Sequence, residues 1–285
     1  MELLVVGAGA VGRWFAATVE RAVPDEHGGD TAPDDGAAVD VAFADVNDAA
    51  AADAATALDA RHVPVDGTER FDVVCLAVPI SAVEASVAAQ ADRAREAMVD
   101  ATGVMGAPLA AMRTHLPTHE RVSFHPLFAP SSAPGTVAVV ADESGPATDR
   151  LRAALAAAGN DLFETTPDEH DRAMETVQSA AHAAVIAYAL AAEEVRPEFH
   201  TPVSGALAEV VDRVTGGTPR VYREIQETFD GAERVAAAAD RLAAADADEF
   251  DALYRAAGDA GTAVDTDDDA SANAGVDTDT HGERR

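Results

Sequence analysis

Apolar positions in this chain fall first in short unbroken runs and later at helical spacing. Runs at 2–6, 39–44, 71–78, 98–101, 121–125, 136–141 and 161–165 have the length and content of buried strands. A weaker run at 63–65 reads as one more short strand. Between them lie segments of helical character: one from the glycine turn at residue 7 to about 23, then 48–58, 81–95, 109–114 and 148–158. Strands alternating with helices predict an α/β fold with a doubly wound, Rossmann-type parallel sheet. From residue 167 the pattern changes to helices alone, at 167–195, 202–214, 219–239 and 246–257. The expected organisation is therefore a nucleotide-binding domain at 1–166 and an all-helical domain at 167–258. Residues 24–38, rich in proline, glycine and acid, read as a solvated loop. Residues 259–285 are polar and acidic and read as a disordered tail.

Charge changes this picture. The 285 residues carry a formal net charge of -31, and all 20 basic residues are arginine. Long periodic apolar segments argue for a folded protein with an acidic, solvated surface, as in proteins of salt-loving organisms. Such a polyanion is a poor partner for nucleic acid or an anionic membrane. Without lysine no Schiff base can form. The single cysteine, Cys75, lies in an apolar run, so it reads as a buried structural thiol and fits a reducing cytoplasm. No signal peptide and no membrane span are expected.

Chemistry concentrates at the strand ends. Gly7-x-Gly9-x-x-Gly12 follows the first strand and opens a helix. Gly7 allows the tight turn, Gly9 allows close approach of a pyrophosphate, and Gly12 allows helix and strand to pack. The helix start at Ala10 and Val11 offers free N–H groups to that anion. Asp45 ends the second strand, where a carboxylate can accept from a ribose 2′-hydroxyl and would repel a 2′-phosphate. It favours NAD over NADP. Val78 and Pro79, at the end of the 71–78 strand, should line the nicotinamide side. His125 ends another strand and is fixed by Pro126. A histidine there suits a base that receives a hydroxyl proton as hydride leaves. Gln178 and His182, four residues apart, share one face of a long helix. The plain alternatives are structural: a solvated Asp45, a core His125 or His182, and a surface ion pair for Arg213.

The stretch from Asp100 to Pro130 resembles the prephenate dehydrogenase family. That family has an Asp-x-x-Ser-Val-Lys box, a Gly-Pro-Leu-x-x-Met run and a strand ending His-Pro-Met-Phe-Gly-Pro. Here these read Asp100-Ala101-Thr102-Gly103-Val104-Met105, then Ala107-Pro108-Leu109-Ala110-Ala111-Met112, then His125-Pro126-Leu127-Phe128-Ala129-Pro130. Two further blocks match: Glu169-His170-Asp171 with Gln178 and His182, and Thr201-Pro202 leading to Arg213. The resemblance implies oxidative decarboxylation of prephenate to 4-hydroxyphenylpyruvate in tyrosine biosynthesis, with NAD as hydride acceptor. It implies His125 as the catalytic base, His182 and Gln178 in the substrate pocket, Arg213 on a substrate carboxylate, and a homodimer. His170 and Asp171 read as structural. The family's serine is Gly103 here and its lysine is Met105; Thr102 or water would replace the serine's hydrogen bond. Arogenate is the alternative substrate. A dinucleotide-binding sensor without turnover is the alternative of another class. Reductases of related architecture that use a catalytic lysine are excluded by the composition.

The charge reading makes a prediction. At molar salt the Debye length falls to roughly 3 Å, which screens like-charge repulsion. Circular dichroism should show a higher melting temperature in molar potassium chloride than in dilute buffer. Equal stability in both would contradict the reading.

Overall fold

The computed structural model describes residues 1–21 and 39–261. The loop expected at 24–38 falls outside the described residues apart from its neighbour Val39, as does the tail from 262 onward. Eight strands form one sheet: β1 (Glu2–Val6), β2 (Asp40–Ala44), β3 (Arg61–His62), β4 (Phe71–Leu76), β5 (Ala94–Asp100), β6 (Glu120–Pro126), β7 (Thr136–Glu143) and β8 (Asp161–Glu164). Their order is β3-β2-β1-β4-β5-β6-β7-β8. The first six strands are parallel, so β1 and β4 flank the point where the winding reverses.

Strand direction reverses once within the expected doubly wound parallel sheet. β7 runs antiparallel to β6, and β8 is parallel to β7. The cause is chain length. A parallel return needs a crossover of about a dozen residues or more. The link from β6 to β7 is shorter and holds only a 3-10 turn at Pro130–Ser132.

Alternation along the strands builds two cores. On one face Leu3, Val5, Phe43, Val73, Cys75 and Phe124 meet Phe15 and Val19 of α1 (Ala10–Arg21), Ala51 of α2 (Asp48–Ala57) and Leu151 of α5 (Pro146–Ala157). On the other, Leu4, Val6, Val74 and Met98 meet Val87 of α3 (Val83–Gln90) and Leu109 and Met112 of α4 (Gly106–His115). Cys75 is fully buried, and burial pushes its thiol well above the ordinary value. Helix α3 stops at Gln90, short of the expected 95, because Ala94 onward joins the sheet. The expected strand at 63–65 forms just earlier, at β3.

After β8 the chain is helical: α6 (Pro167–Met174), α7 (Ala181–Ala191), α8 (Pro202–Thr215), α9 (Pro219–Thr228), α10 (Gly231–Ala244) and α11 (Ala247–Gly261). Thr166 and Thr201 accept from Glu169 N–H and Ser204 N–H and so cap α6 and α8. The single helix expected at 167–195 ends at Ala191 and is interrupted by a π-helical turn at Glu175–Ala180. The helix expected at 219–239 is two. Phe229 takes an extended backbone and buries its ring with Val104, Met174 and Ile225. Helix α11 continues to Gly261, beyond the expected limit at 258. By compactness the described residues form two units, Met1–Ala232 and Glu233 onward. Every site residue discussed below belongs to the first unit.

The π turn is held by Ser179 and Gln226. Ser179 Oγ lies 3.0 Å from Phe229 O and accepts from Gly231 N–H at 3.1 Å. Gln226 Nε2 donates to Ser179 O at 2.8 Å, satisfying a carbonyl in the irregular turn. A Cβ on Gly231 would come within 2.2 Å of Ala180 N, so only glycine fits. Urea unfolding should show Ser179→Ala losing about 1–3 kcal/mol and Gly231→Val losing more. Wild-type midpoints for both would show the lock to be dispensable.

Candidate active site

The C-terminal ends of β1, β2, β4, β5 and β6 share one edge of the sheet, and the sequence places its chemistry there. At the end of β1, Gly7 has φ +105°, and a Cβ there would lie 2.2 Å from Ala77 O. A Cβ on Gly12 would lie 2.0 Å from Gly7 O, so α1 packs directly on the turn. Gly9 is exposed and a Cβ on it would meet nothing within 4 Å. That is open space at the start of α1, where Ala10 and Val11 begin the helix and its first N–H groups lack helical partners. The three glycines therefore have the three distinct surroundings a pyrophosphate loop requires, and the loop fits a dinucleotide.

Asp45 fastens this loop as well as facing it. Its Oδ2 accepts from Ala8 N–H and its Oδ1 from Asn47 N–H, both at 2.8 Å. Each oxygen keeps a lone pair for a ribose hydroxyl. Arg13, which the sequence did not single out, donates from Nε to Ala8 O at 2.9 Å and from Nη2 to Ala50 O at 3.1 Å. Its guanidinium is thereby committed to carbonyls beside Asp45. Val78 and Pro79 continue from β4 and are half-buried. The next residues are held from the helical part: Glu224 of α9 accepts from Ile80 N–H at 2.9 Å and from Ser81 Oγ at 3.1 Å.

His125 sits near the end of β6, 7% exposed. Its Nδ1 is 2.8 Å from His170 Nε2, and its Nε2 is 3.3 Å from Gln178 Nε2. Burial, with the neighbouring His170, pulls its pKa down to about 3, so the ring is neutral at physiological pH. A neutral imidazole can accept a proton, which is what a base in this position must do. A Cβ on Gly103 would lie 3.9 Å from His125 Nε2 and 3.3 Å from Ile80 Cδ1. Glycine thus keeps a side chain from crowding Ile80 and His125 Nε2. Behind it Asp100 is fully buried, and burial pushes its carboxyl up to about 7 despite hydrogen bonds from Thr102.

The structure brings His125 and Gln178 together through the π turn. It gives other expected site residues different surroundings. Thr102 Oγ1 is 2.6 Å from Asp100 Oδ1 and 3.0 Å from Val104 O, so its proton is used within the turn rather than offered to a substrate. His182 packs its ring on Tyr222, with centroids 4.8 Å apart, and burial lowers its pKa. Gln178 lies in the π turn and His182 in the first turn of α7. Arg213 is exposed in the last turn of α8, and among the described residues it makes no hydrogen bond or ion pair. His170 and Asp171, read as structural, lie against His125 and the start of α4. His170 Nδ1 is 2.8 Å from Asp171 Oδ1, and Asp171 accepts from Met105 N–H at 3.0 Å and Gly106 N–H at 3.1 Å. The signal was present in the Glu-His-Asp block, but only folding shows that it meets His125.

Comparison with known proteins agrees with this geometry. Residues 33–142 match a family model described as prephenate dehydrogenase, nucleotide-binding domain. Over 247 residues the chain is 30% identical to the 4-amino-4-deoxyprephenate dehydrogenase of Streptomyces pristinaespiralis, covering 81% of this chain and 78% of that one. It is 26% identical over 177 residues to a probable arogenate/prephenate dehydrogenase of Methanocaldococcus jannaschii, covering 57% of this chain and 40% of that relative. Prephenate dehydrogenase from A. aeolicus, solved with hydroxyphenyl propionate and NAD+, has the same fold at a TM-score of 0.65 and 16% identity, covering 93% of this chain and 97% of that one. The glycine loop, the buried strand-end histidine and the long match to a family member agree: this chain belongs to the prephenate dehydrogenase family of oxidoreductases.

Proposed function

We propose that the chain oxidises prephenate, with NAD as hydride acceptor and loss of carbon dioxide, to 4-hydroxyphenylpyruvate. The observation that carries the reading is His125: buried, neutral, and with Nε2 beside Gly103. Bound NAD supplies the hydride acceptor. Gly7, Gly9, Gly12 and the start of α1 would hold its pyrophosphate, and Asp45 its ribose. His125 Nε2 takes the hydrogen bond of the ring hydroxyl and bears its proton as the carbonyl forms. Carbon dioxide leaves with its bonding pair passing into the ring, and the resulting phenolate oxygen takes the proton back. The driving force is aromatisation of the substrate; the chain supplies position and electrostatics. Arg213, free of internal partners, suits a substrate carboxylate. Among the described residues no helix is long and apolar enough to cross a membrane. With a buried single cysteine, this supports a cytoplasmic enzyme.

A second reading has its own observation. Gln178 Oε1 is buried and, among the described residues, accepts from nothing. A ring amine could donate to both His125 Nε2 and Gln178 Oε1, whereas a hydroxyl has one proton to give. This favours the substrate named for the Streptomyces relative, with nitrogen at the reacting carbon. Arogenate differs elsewhere, at the side chain, and keeps the hydroxyl.

The test is NADH formation at 340 nm in molar salt with prephenate, arogenate and 4-amino-4-deoxyprephenate, each with NAD and NADP. Prephenate with NAD should turn over, and His125→Asn should lower kcat by about 10²–10⁴-fold while NAD still binds. Turnover of the amino substrate alone would replace the first reading with the second. Silence from folded, NAD-binding protein would favour a sensor.

A homodimer is part of the proposal. Helix α7 reads AHAAVIAYALA, yet none of its residues is buried, and Leu190 is 83% exposed. An apolar helix left uncovered in one copy suits burial against the same helix of a second. Light scattering behind size exclusion in molar salt should give twice the 29.2 kDa of one chain. A monomer at micromolar concentration would contradict it.

A further inference from the structure

Resting on the reading of His125 as the base, we propose that His170 and Asp171 are positioning residues for the reaction. Together they fix His125 as the Nδ1–H tautomer, leaving its Nε2 lone pair to the substrate, and they share the charge when that nitrogen is protonated.

The hydrogen bonds leave little freedom. Two backbone N–H groups, of Met105 and Gly106, point at the Asp171 carboxylate at 3.0 and 3.1 Å. A backbone N–H can only donate, so both oxygens act as acceptors. Burial alone would raise Asp171, but hydrogen bonds from His170, Met105 and Gly106 hold it below the usual carboxylate range. It is an anion at the start of α4, where helix geometry favours one. His170 Nδ1, 2.8 Å from Asp171 Oδ1, must therefore donate. In the neutral ring its Nε2 is then bare and must accept. His125 Nδ1, 2.8 Å away, is the donor. His125 Nε2 is then bare too, and the Gln178 amide N–H at 3.3 Å fits that assignment. With His170 neutral, the order of donors and acceptors follows from two peptide groups.

The arrangement also answers an energetic difficulty. His170 is 2% exposed and His125 7%, so an isolated imidazolium here would be costly. When the substrate O–H bond breaks and the proton bonds to His125 Nε2, the His125 Nδ1 proton can pass to His170 Nε2. The positive charge then lies next to the Asp171 anion, as a paired ion rather than a lone one. As the phenolate forms, the proton movements reverse and the substrate oxygen is reprotonated. No proton is gained or lost by the chain over the cycle.

The test combines a spectroscopic signature with kinetics. Protein labelled with ¹⁵N-histidine, with His125 assigned by its absence in His125→Gln, should show a protonated Nδ1 and a bare Nε2 for His125 at neutral pH. His170→Leu should lose that signature and lower kcat at least about tenfold, with KM and NAD binding little changed. His170→Gln, which can still accept from His125 Nδ1–H, should restore the tautomer and part of the rate. A wild-type His125 protonated at Nε2 would overturn the proposal, whatever the variants do. A folded His170→Leu with wild-type kcat would overturn it as well. If wild type turns over none of the three ring substrates, the proposed function fails, and the tautomer result alone then reports on the geometry.

Discussion

Two carboxylates from the helical part hold the site in place. Asp171 accepts from the first N–H groups around α4, and Glu224 accepts from Ile80 N–H and Ser81 Oγ just after β4. Both place negative charge where a helix begins, the one location on a neutral backbone that attracts it. In a chain of net charge -31, most acids face solvent and repel one another. Asp171 is instead held by two peptide N–H groups and His170, and Glu224 by one peptide N–H, the Ser81 hydroxyl and Arg220 of its own helix. The contacts that these two carboxylates make to the residues after β4 and at the start of α4 thus come from peptide and hydroxyl groups, with no side-chain cation among them. That matters in a protein without lysine, several of whose arginines are spent on surface pairs such as Arg95 with Asp72 and Arg113 with Asp142.

The site between the clamps is nearly free of formal charge. His125 is neutral, Gln178 is an amide, and the position of the family's lysine is a fully buried Met105 packed with Leu109 and Met112. Met105 serves the site through its backbone alone, by donating to Asp171. A side chain can be exchanged freely where the peptide group does the work, provided the new one fits the core. The change from serine to Gly103 is of another kind. It removes a side chain that would press on Ile80 and reach His125 Nε2.

Much of this was legible in the sequence. Periodicity placed β1, β4 and β6 to within a residue or two, because buried parallel strands are continuous apolar runs. The glycine spacing was read as three distinct roles; Gly7 has a positive φ, Gly12 packs on the turn, and Gly9 faces open space. What the sequence hid was long-range pairing. The reversal of β7 depends on a loop too short for a crossover, which periodicity does not register. The break at Phe229 depends on a hydrophobic site formed by Val104 and Met174, distant in the chain. His170 looked like a helix-start residue, since nothing local shows that its ring will meet one 45 positions earlier.

The π turn at Glu175–Ala180 is in effect an α-helix carrying one residue too many. Deleting one residue of the turn would let the segment relax into the intrinsically preferred helix, with the flanking helices keeping their faces. What is lost is the widened turn through which Gln178 reaches His125 and Ser179 reaches Gly231. Substitutions in this segment change an interaction, whereas a deletion removes the turn itself. Relatives that differ in length across this turn should therefore differ in pocket chemistry even where every other pocket residue is the same.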